Sequence, residues 1–166
     1  MKFVGISSLI FAAAATSTEF EEQVLETKLR GTPGTKRGKE WLAAHRSYVD
    51  KSLDWSADLK KLADSFTAES AKNNCLPPSQ AQLVPSLRAM CPTGNKVCFW
   101  QWATPWEAGP GLSALPSPDE IFQRPNMPKH QGFQQVGCSD CLIAASSNRE
   151  YGYTSSVCLY YRIDSK

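Results

Sequence analysis

The feature that most constrains this chain is a set of six cysteines that follows an apolar leader. An even number of cysteines in a chain that enters the oxidising secretory pathway predicts a framework of disulfide bonds, here three. Six cysteines can pair in fifteen ways, and spacing alone does not select one of them. The six are Cys75, Cys91, Cys98, Cys138, Cys141 and Cys158.

The leader has the three parts of a secretory signal peptide. Lys2 gives a basic start, residues 3–15 are apolar, and small residues follow. This pattern predicts cleavage after Ala15 or Ser17, with residues 1–17 as the signal peptide. An uncleaved membrane anchor is the alternative, but the apolar run has about half of the roughly 20 residues that a spanning helix needs. We therefore expect a secreted, extracellular protein with no membrane span.

The segment after the signal peptide has the composition of a flexible N-terminal arm. Residues 18–38 are polar and end in a stretch with several glycines and a proline, which oppose both helix and strand. We expect a flexible N-terminal arm, or a pro-segment that is cut at Lys36-Arg37; a frayed terminus is the alternative. Residues 39–166 then form one domain, which is long enough to bury a core.

The charge of the chain does not favour nucleic acid or an anionic membrane as a partner. The formal net charge is +2, and it falls to about +1 once Lys2 leaves with the signal peptide. Because positive and negative charges are nearly balanced, there is no electrostatic reason to expect nucleic acid or an anionic membrane surface as a partner. Since no asparagine is followed two positions later by serine or threonine, N-glycosylation is not expected either.

Apolar residues at helical spacing predict two helices early in the domain. A short first helix carries Trp41, Leu42, His45 and Tyr48 on its apolar side. The second helix is predicted over 56–72, where a single apolar stripe faces charged residues and Ser56 suits the N-cap. The stripe consists of Trp55, Leu59, Leu62 and Phe66.

The remainder of the domain is predicted to be loops and strands. Residues 76–132 hold most of the prolines; we expect a short helical turn over 81–90 and a strand over the aromatic stretch 97–102. Two more strands are expected at 133–138 and at 155–163, where apolar residues alternate. Helices early and strands late favour an α+β fold with antiparallel strands.

Three stretches together resemble the CAP superfamily, which includes cysteine-rich secretory proteins, antigen 5 and pathogenesis-related proteins. Residues 41–45, Trp-Leu-Ala-Ala-His, are similar to the opening helix of that family. Residues 53–63, followed by Phe66 and Cys75, resemble its Leu-x-Trp-x-x-x-Leu motif and the helix after it. Val-Gly-Cys at 136–138 and Val-Cys-Leu-Tyr at 157–160 resemble its last motifs. The match covers about 60 of the roughly 150 mature residues.

The resemblance implies a fold and a disulfide pairing. The fold is the α-β-α sandwich of the SCP domain, with helices on either side of an antiparallel sheet, here in a divergent and loop-rich form. The resemblance also implies three specific disulfides, each of which closes a loop of the chain. The implied pairs are Cys138 with Cys158, Cys75 with Cys141, and Cys91 with Cys98.

The chain departs from the family in the residues of the central cleft. Members of the family carry two histidines and two glutamates there, and the imidazoles can bind a divalent metal. The stretch from Cys75 to Cys91 holds neither residue type, so we expect no metal, no cofactor and no catalytic residue. The remaining candidates for cleft residues are His45, His130, Glu107 and Glu120. Of the two histidines, we expect His45 to be structural and His130 to be solvated.

Other patterns admit a functional and a structural interpretation. Cys138-Ser139-Asp140-Cys141 has the spacing of a redox CxxC motif, but its strand-and-loop setting favours structural disulfides. No Gly-x-Ser-x-Gly motif supports a serine hydrolase. Trp100, Trp102 and Trp106 are candidates to contact an apolar ligand or a glycan, whereas ordinary core packing is the alternative.

These observations predict a secreted, monomeric, non-catalytic protein. Its expected role is to bind an extracellular apolar ligand, such as a sterol, a lipid or a cell-surface group, or to act in defence and interaction. The alternative is a disulfide-stabilised interaction or effector protein that uses its surface rather than a cavity. A third possibility, a metal-dependent hydrolase, requires His45 and His130 to meet at one metal position.

Overall fold

A computed structural model describes residues 33–91, 96–124 and 132–165 of the chain. These residues form helices and a mixed sheet, so the predicted α+β class is confirmed. The helices are α1 (Lys36–Tyr48), α2 (Ala57–Ala71), α3 (Gln80–Ala89) and α4 (Pro118–Phe122). The strands are β1 (Asp54–Trp55), β2 (Lys96–Ala103), β3 (Trp106–Pro110), β4 (Gln135–Ile143) and β5 (Tyr151–Ser165).

Strand β5 is the centre of the sheet. The strand order is β1-β4-β5-β2, and β3 continues along the same edge of β5 as β2. Strands β2, β3 and β4 are all antiparallel to β5, as expected, whereas β1 is parallel to β4. The prediction of a purely antiparallel sheet is therefore wrong at one edge. Parallel neighbours need a long crossover, and the whole stretch from α2 to α4 supplies it here.

Helix α2 has the N-cap and the apolar stripe that were predicted from the sequence. The hydroxyl of Ser56 accepts a hydrogen bond from the Leu59 amide at 3.2 Å, which caps the helix. Leu59 and Ala63 are fully buried against the sheet, and burial of a leucine side chain stabilises a fold by about 1.5–3 kcal/mol. Helix α2 ends just before the turn that leads to Cys75, and Pro77 prevents its continuation.

Two apolar clusters lie on opposite faces of the sheet because side chains of β5 alternate between its faces. Cys158 and Tyr160 contribute to the cluster with α1 and α4, while Val157 and Leu159 contribute to the cluster with α2 and α3. The described helices therefore cover the sheet on both sides. The first cluster is called the α1 cluster below; its largest members are Trp41, Leu42, Leu53, Trp55, Phe122, Ile121 and Tyr160.

Three disulfides hold these layers together. Cys138–Cys158 joins β4 to β5, and Cys75–Cys141 joins the turn after α2 to β4. Cys91–Cys98 joins the end of α3 to β2. These are the pairs that the resemblance implies. Closure of loops of such sizes stabilises a fold by about 2–4 kcal/mol each.

Helix α1 begins earlier in the chain than the sequence predicts. Helix α1 starts at Lys36 rather than beyond Gly38, and the hydroxyl of Thr35 caps it by accepting from the Gly38 amide at 3.0 Å. Gly38 is buried in this first turn. Residues 36–38 are therefore part of the domain, and a cut at Lys36-Arg37 would fall inside a helix that packs on the sheet.

Candidate functional site

His45 lies in the core. Its side chain is completely buried in the α1 cluster, where the Phe122 ring meets it edge-on with the ring centres 4.7 Å apart. Its Nδ1 lies 2.7 Å from the carbonyl oxygen of Trp41, one helical turn earlier. Its Nε2 lies 2.9 Å from the hydroxyl of Tyr160 on β5. Both ring nitrogens are therefore occupied, one by a hydrogen bond within α1 and the other by a hydrogen bond that joins α1 to the sheet.

The hydrogen bonds fix which nitrogen of the neutral His45 ring carries the hydrogen. A carbonyl oxygen only accepts, so Nδ1 carries the hydrogen and donates it to Trp41, and Nε2 accepts from the Tyr160 hydroxyl. Burial lowers the pKa of His45 to about 4, an effect that the bond to the Trp41 carbonyl partly opposes. Burial also raises the pKa of Tyr160. At neutral pH both groups are uncharged, as a dry core requires.

A disulfide completes the surroundings of His45. Nε2 lies 4.0 Å from the sulfur of Cys138, whose partner Cys158 sits directly opposite on β5. The nitrogen and the two sulfurs all lie within 4.8 Å of one another. In the disulfide state the two sulfurs are bonded to each other and are not available as ligands. The predicted structural role of His45 agrees with this geometry.

His130, the other predicted histidine, lies outside the described residues. A metal position shared by His130 and His45 therefore stays a prediction. The polar contacts of His45 within the described residues come from α1, β4 and β5. Helix α1 and strand β5 thus position this side chain for packing.

The two predicted glutamates line a groove at the surface. Glu107 on β3 and Glu120 on α4 face an open groove with a volume of about 440 Å³. Arg124 lies between them and donates from Nη2 to the Glu107 carboxylate at 2.6 Å. The apolar part of the wall is the loop that precedes α4. We call this feature the Glu107 groove; its lining residues are Glu107, Leu112, Ala114, Leu115, Pro116, Glu120 and Arg124.

Helix α4 sets the position of Glu120. The backbone N–H of Ser117 donates to the Glu120 carboxylate at 2.6 Å, and the Ser117 hydroxyl accepts from the Glu120 amide. This reciprocal capping box holds the pKa of the Glu120 carboxyl below its usual range, and the charge of Arg124 adds to the effect. Glu120 is therefore an ionised, fixed acceptor at the rim of the groove.

Arg124 and helix α4 were not predicted from the sequence. The pattern Ser117-Pro118-Asp119-Glu120 contains the signal that could have found them, because serine followed by glutamate three residues later marks a helix start. Proline at the first helical position supports the same assignment. Strand β3, which carries Glu107, was missed because its sequence Trp-Glu-Ala-Gly-Pro contains two residues that disfavour strands.

The three predicted tryptophans separate into two environments. Trp100 and Trp102 point to the same face of β2 and pack, partly buried, against the cluster beneath α2 and α3. Trp106 is 42% exposed, and its Nε1 donates to the carbonyl of Asn74 at 3.3 Å. Trp100 and Trp102 therefore pack as core residues, and Trp106 alone offers a large exposed face.

Asp140, in the middle of the CxxC sequence, was not singled out by sequence analysis. One of its carboxylate oxygens accepts from Arg37 Nε at 2.8 Å and from Trp41 Nε1 at 2.9 Å, and the other accepts from the Ser156 hydroxyl. Its side chain is almost completely buried. Since Arg37 also donates to the Pro116 carbonyl at 2.7 Å, this carboxylate links α1, the sheet and the wall of the Glu107 groove.

Comparison with known proteins gives no relative. No protein family matches the sequence, no curated protein matches it, and no solved structure matches the fold. Within the described part of the chain, every helix is too short or too polar to cross a bilayer.

Proposed function

We propose that this chain is a secreted, disulfide-stabilised binding protein that acts through its surface, without catalysis. The observation that carries the proposal is the separation of the predicted cleft residues. Two hydrogen bonds hold His45 in the core, whereas Glu107 and Glu120 line an open groove at the surface. The three disulfides and the N-terminal leader support an extracellular setting.

The Glu107 groove is the surface that we assign to this binding. Its ion pair between Arg124 and Glu107 is about two-fifths exposed on each side, and an exposed pair contributes only about 0–1 kcal/mol to stability. A ligand can therefore open it at low cost. Leu112 and Leu115 offer apolar surface beside the charges, so the groove suits a ligand with both a charged and an apolar part.

A variant pair tests this assignment. The mature chain, labelled with a fluorophore, is applied to cell surfaces and to panels of sterols, fatty acids, glycans and peptides. We expect the double variant Glu107→Gln, Arg124→Gln to weaken saturable binding at least tenfold. The control is Glu69→Gln, Lys72→Gln, which removes a more exposed ion pair, with side chains 64% and 72% exposed, at the C-terminal end of α2. Equal losses in both variants, or no loss in either, would contradict the assignment.

A second candidate function follows from the CAP resemblance. Under this proposal the chain is a divergent member of that superfamily and binds a sterol or another lipid. Two observations support it: Leu59 of α2 lies in one apolar cluster with Val157 and Leu159 of β5, and the three cystines are those that the resemblance implies. Saturable sterol binding that is unchanged in the groove variant would favour this candidate over the first.

A further inference from the structure

The Cys91–Cys98 cystine is the most accessible of the three described disulfides. Both of its side chains are partly exposed, whereas the cysteines of the other two cystines are at most 4% exposed. Exchange between a thiol and a disulfide requires a thiolate to reach one sulfur of the bond, so access decides which cystine reacts. The structure thus favours reaction at the cystine that joins the end of α3 to β2.

The surroundings of Cys98 suit a negatively charged sulfur. Cys98 lies opposite Ile163 in the β2–β5 ladder, and Tyr161, two residues before Ile163, shares that face of the sheet. The Tyr161 hydroxyl donates to Sγ of Cys98 at 3.0 Å, and its other acceptor is the carbonyl oxygen of Met90 at 3.4 Å. Burial raises the pKa of Tyr161, so the hydroxyl keeps its proton at neutral pH. A hydrogen-bond donor is therefore already in place for a thiolate at Cys98.

The surroundings of Cys91 are less favourable to a thiolate. Cys91 follows Met90, the C-cap residue of α3, and the C-terminal end of a helix carries a partial negative charge. Arg88 in the last turn is exposed, so solvent and salt screen its charge. In an exchange reaction the sulfur whose thiol has the lower pKa leaves faster. The bond between the two cysteines should therefore break with the negative charge on Cys98.

We propose that Cys91–Cys98 is a thiol-exchange site at which a low-molecular-weight thiol forms a mixed disulfide with Cys91. The thiolate of that molecule attacks Sγ of Cys91, and a new sulfur–sulfur bond forms between them. The Cys91–Cys98 bond breaks, and its electron pair leaves with Sγ of Cys98 as a thiolate that accepts the hydrogen bond from Tyr161. The incoming sulfur is oxidised and the Cys98 sulfur is reduced, so no further oxidant or reductant is needed.

The structural effect of this exchange is confined to one end of α3. The exchange removes the covalent link between α3 and β2, but Leu83 and Leu87 remain buried in the cluster beneath the helix. The other two cystines join different elements, the turn after α2 to β4 and β4 to β5. We therefore expect the modified protein to keep the circular dichroism spectrum of the unmodified one.

Peptide mapping after reaction with reduced glutathione tests the proposal. The mature protein is incubated with glutathione in oxygen-free buffer without denaturant, quenched with N-ethylmaleimide at a series of times, and digested with trypsin. Trypsin cuts after Lys96 and so separates the two cysteines. We expect glutathione on the peptide that contains Cys91 and N-ethylmaleimide on the peptide that contains Cys98. The other two cystines should open at least about tenfold more slowly.

A pair of tyrosine variants tests the role of the hydrogen bond. Tyr161→Phe keeps the ring and removes the donor, so the opening of Cys91–Cys98 should slow by about threefold, because the leaving thiolate loses its partner. The matched control Tyr153→Phe removes another hydroxyl from β5 and should leave the rate unchanged. Glutathione found on Cys98 as often as on Cys91 would overturn the proposal. So would equal opening rates of the three cystines, or an unchanged rate in Tyr161→Phe.

Discussion

Gly137 on β4 faces the backbone of α2 so closely that a Cβ atom at this position would lie 2.7 Å from the Cβ of Leu59 and would also meet the amide nitrogen of Lys60. The helix and the strand are in contact through backbone as well as side chains. This contact explains why a residue larger than glycine does not fit between α2 and the sheet.

The substitution Gly137→Ala should therefore destabilise the fold. Backbone atoms must move to admit the methyl group, and such overpacking costs about 1–3 kcal/mol. The free energy of unfolding, measured with urea, is the readout. Gly109→Ala on β3 is the matched control, because its Cβ would meet nothing within 4 Å. An equal effect of the two substitutions would show that α2 does not pack on β4 as described.

Asp140→Asn tests the buried carboxylate that links α1 to the sheet. The asparagine retains the shape but loses the charge that strengthens the bonds from Arg37 and Trp41. We expect a loss of about 1.5–3 kcal/mol, which is typical of hydrogen bonds to charged groups. Thermal unfolding followed by circular dichroism measures it. Asp119→Asn, at an exposed position, should change stability by much less; a comparable loss there would argue against a special role for Asp140.

The stability of the protein should fall with acid in a defined pH range because of His45. The pKa of this group is about 6.5 in the unfolded chain and about 4 in the folded one, so between these values only the unfolded state takes up the proton. The contribution is complete above pH 6.5 and is lost as the pH falls to 4, in total about 3 kcal/mol. Urea unfolding at a series of pH values measures the slope.

Two histidine variants isolate that slope. His45→Gln should remove the pH dependence that belongs to the buried group, at some cost in stability at pH 7. His130→Gln removes the other histidine of the domain, and the slope should persist in it. If the slope vanishes only in the His130 variant, the assignment to His45 is wrong.

The three cystines should contribute unequally. Cys75–Cys141 spans 66 residues and Cys91–Cys98 spans 7, and the loop-entropy argument gives about 4 and about 2 kcal/mol for loops of those lengths. Paired alanine substitutions at each cystine, followed by urea unfolding, compare them directly. If the Cys91–Cys98 disulfide, which closes the shorter loop, proves the more stabilising, then restraint of the unfolded chain is not the main source of the stabilisation.

The sequence allowed a good prediction of those elements whose pattern is local. The apolar stripe around Leu59 and the alternation near Leu159 report burial on one face of an element, and both elements lie where they were expected. The burial of His45 on the apolar side of α1 was also predictable. These features depend on residues within one or two turns of each other.

What depends on distant partners could not be predicted from the sequence. The parallel pairing of Trp55 with Val136 brings together segments about 80 residues apart, and no local pattern encodes it. Glu107 and Glu120 were candidates for a cleft with His45, but their groove depends on Arg124 and on the path of the loop before α4. A pattern of residue types identifies candidate site residues, whereas the topology of the fold determines which of them lie close together.

The central position of β5 has a consequence for the order of events during synthesis. Among the strands that the structure describes, all but β1 pair with it directly, so this sheet cannot be completed until residues 151–165 have been synthesised. Until then α1 and α2 lack the β5 part of the sheet that they cover, and Cys138 lacks its partner Cys158. A chain with this topology therefore exposes unpaired strand edges and unpaired thiols until β5 joins the sheet.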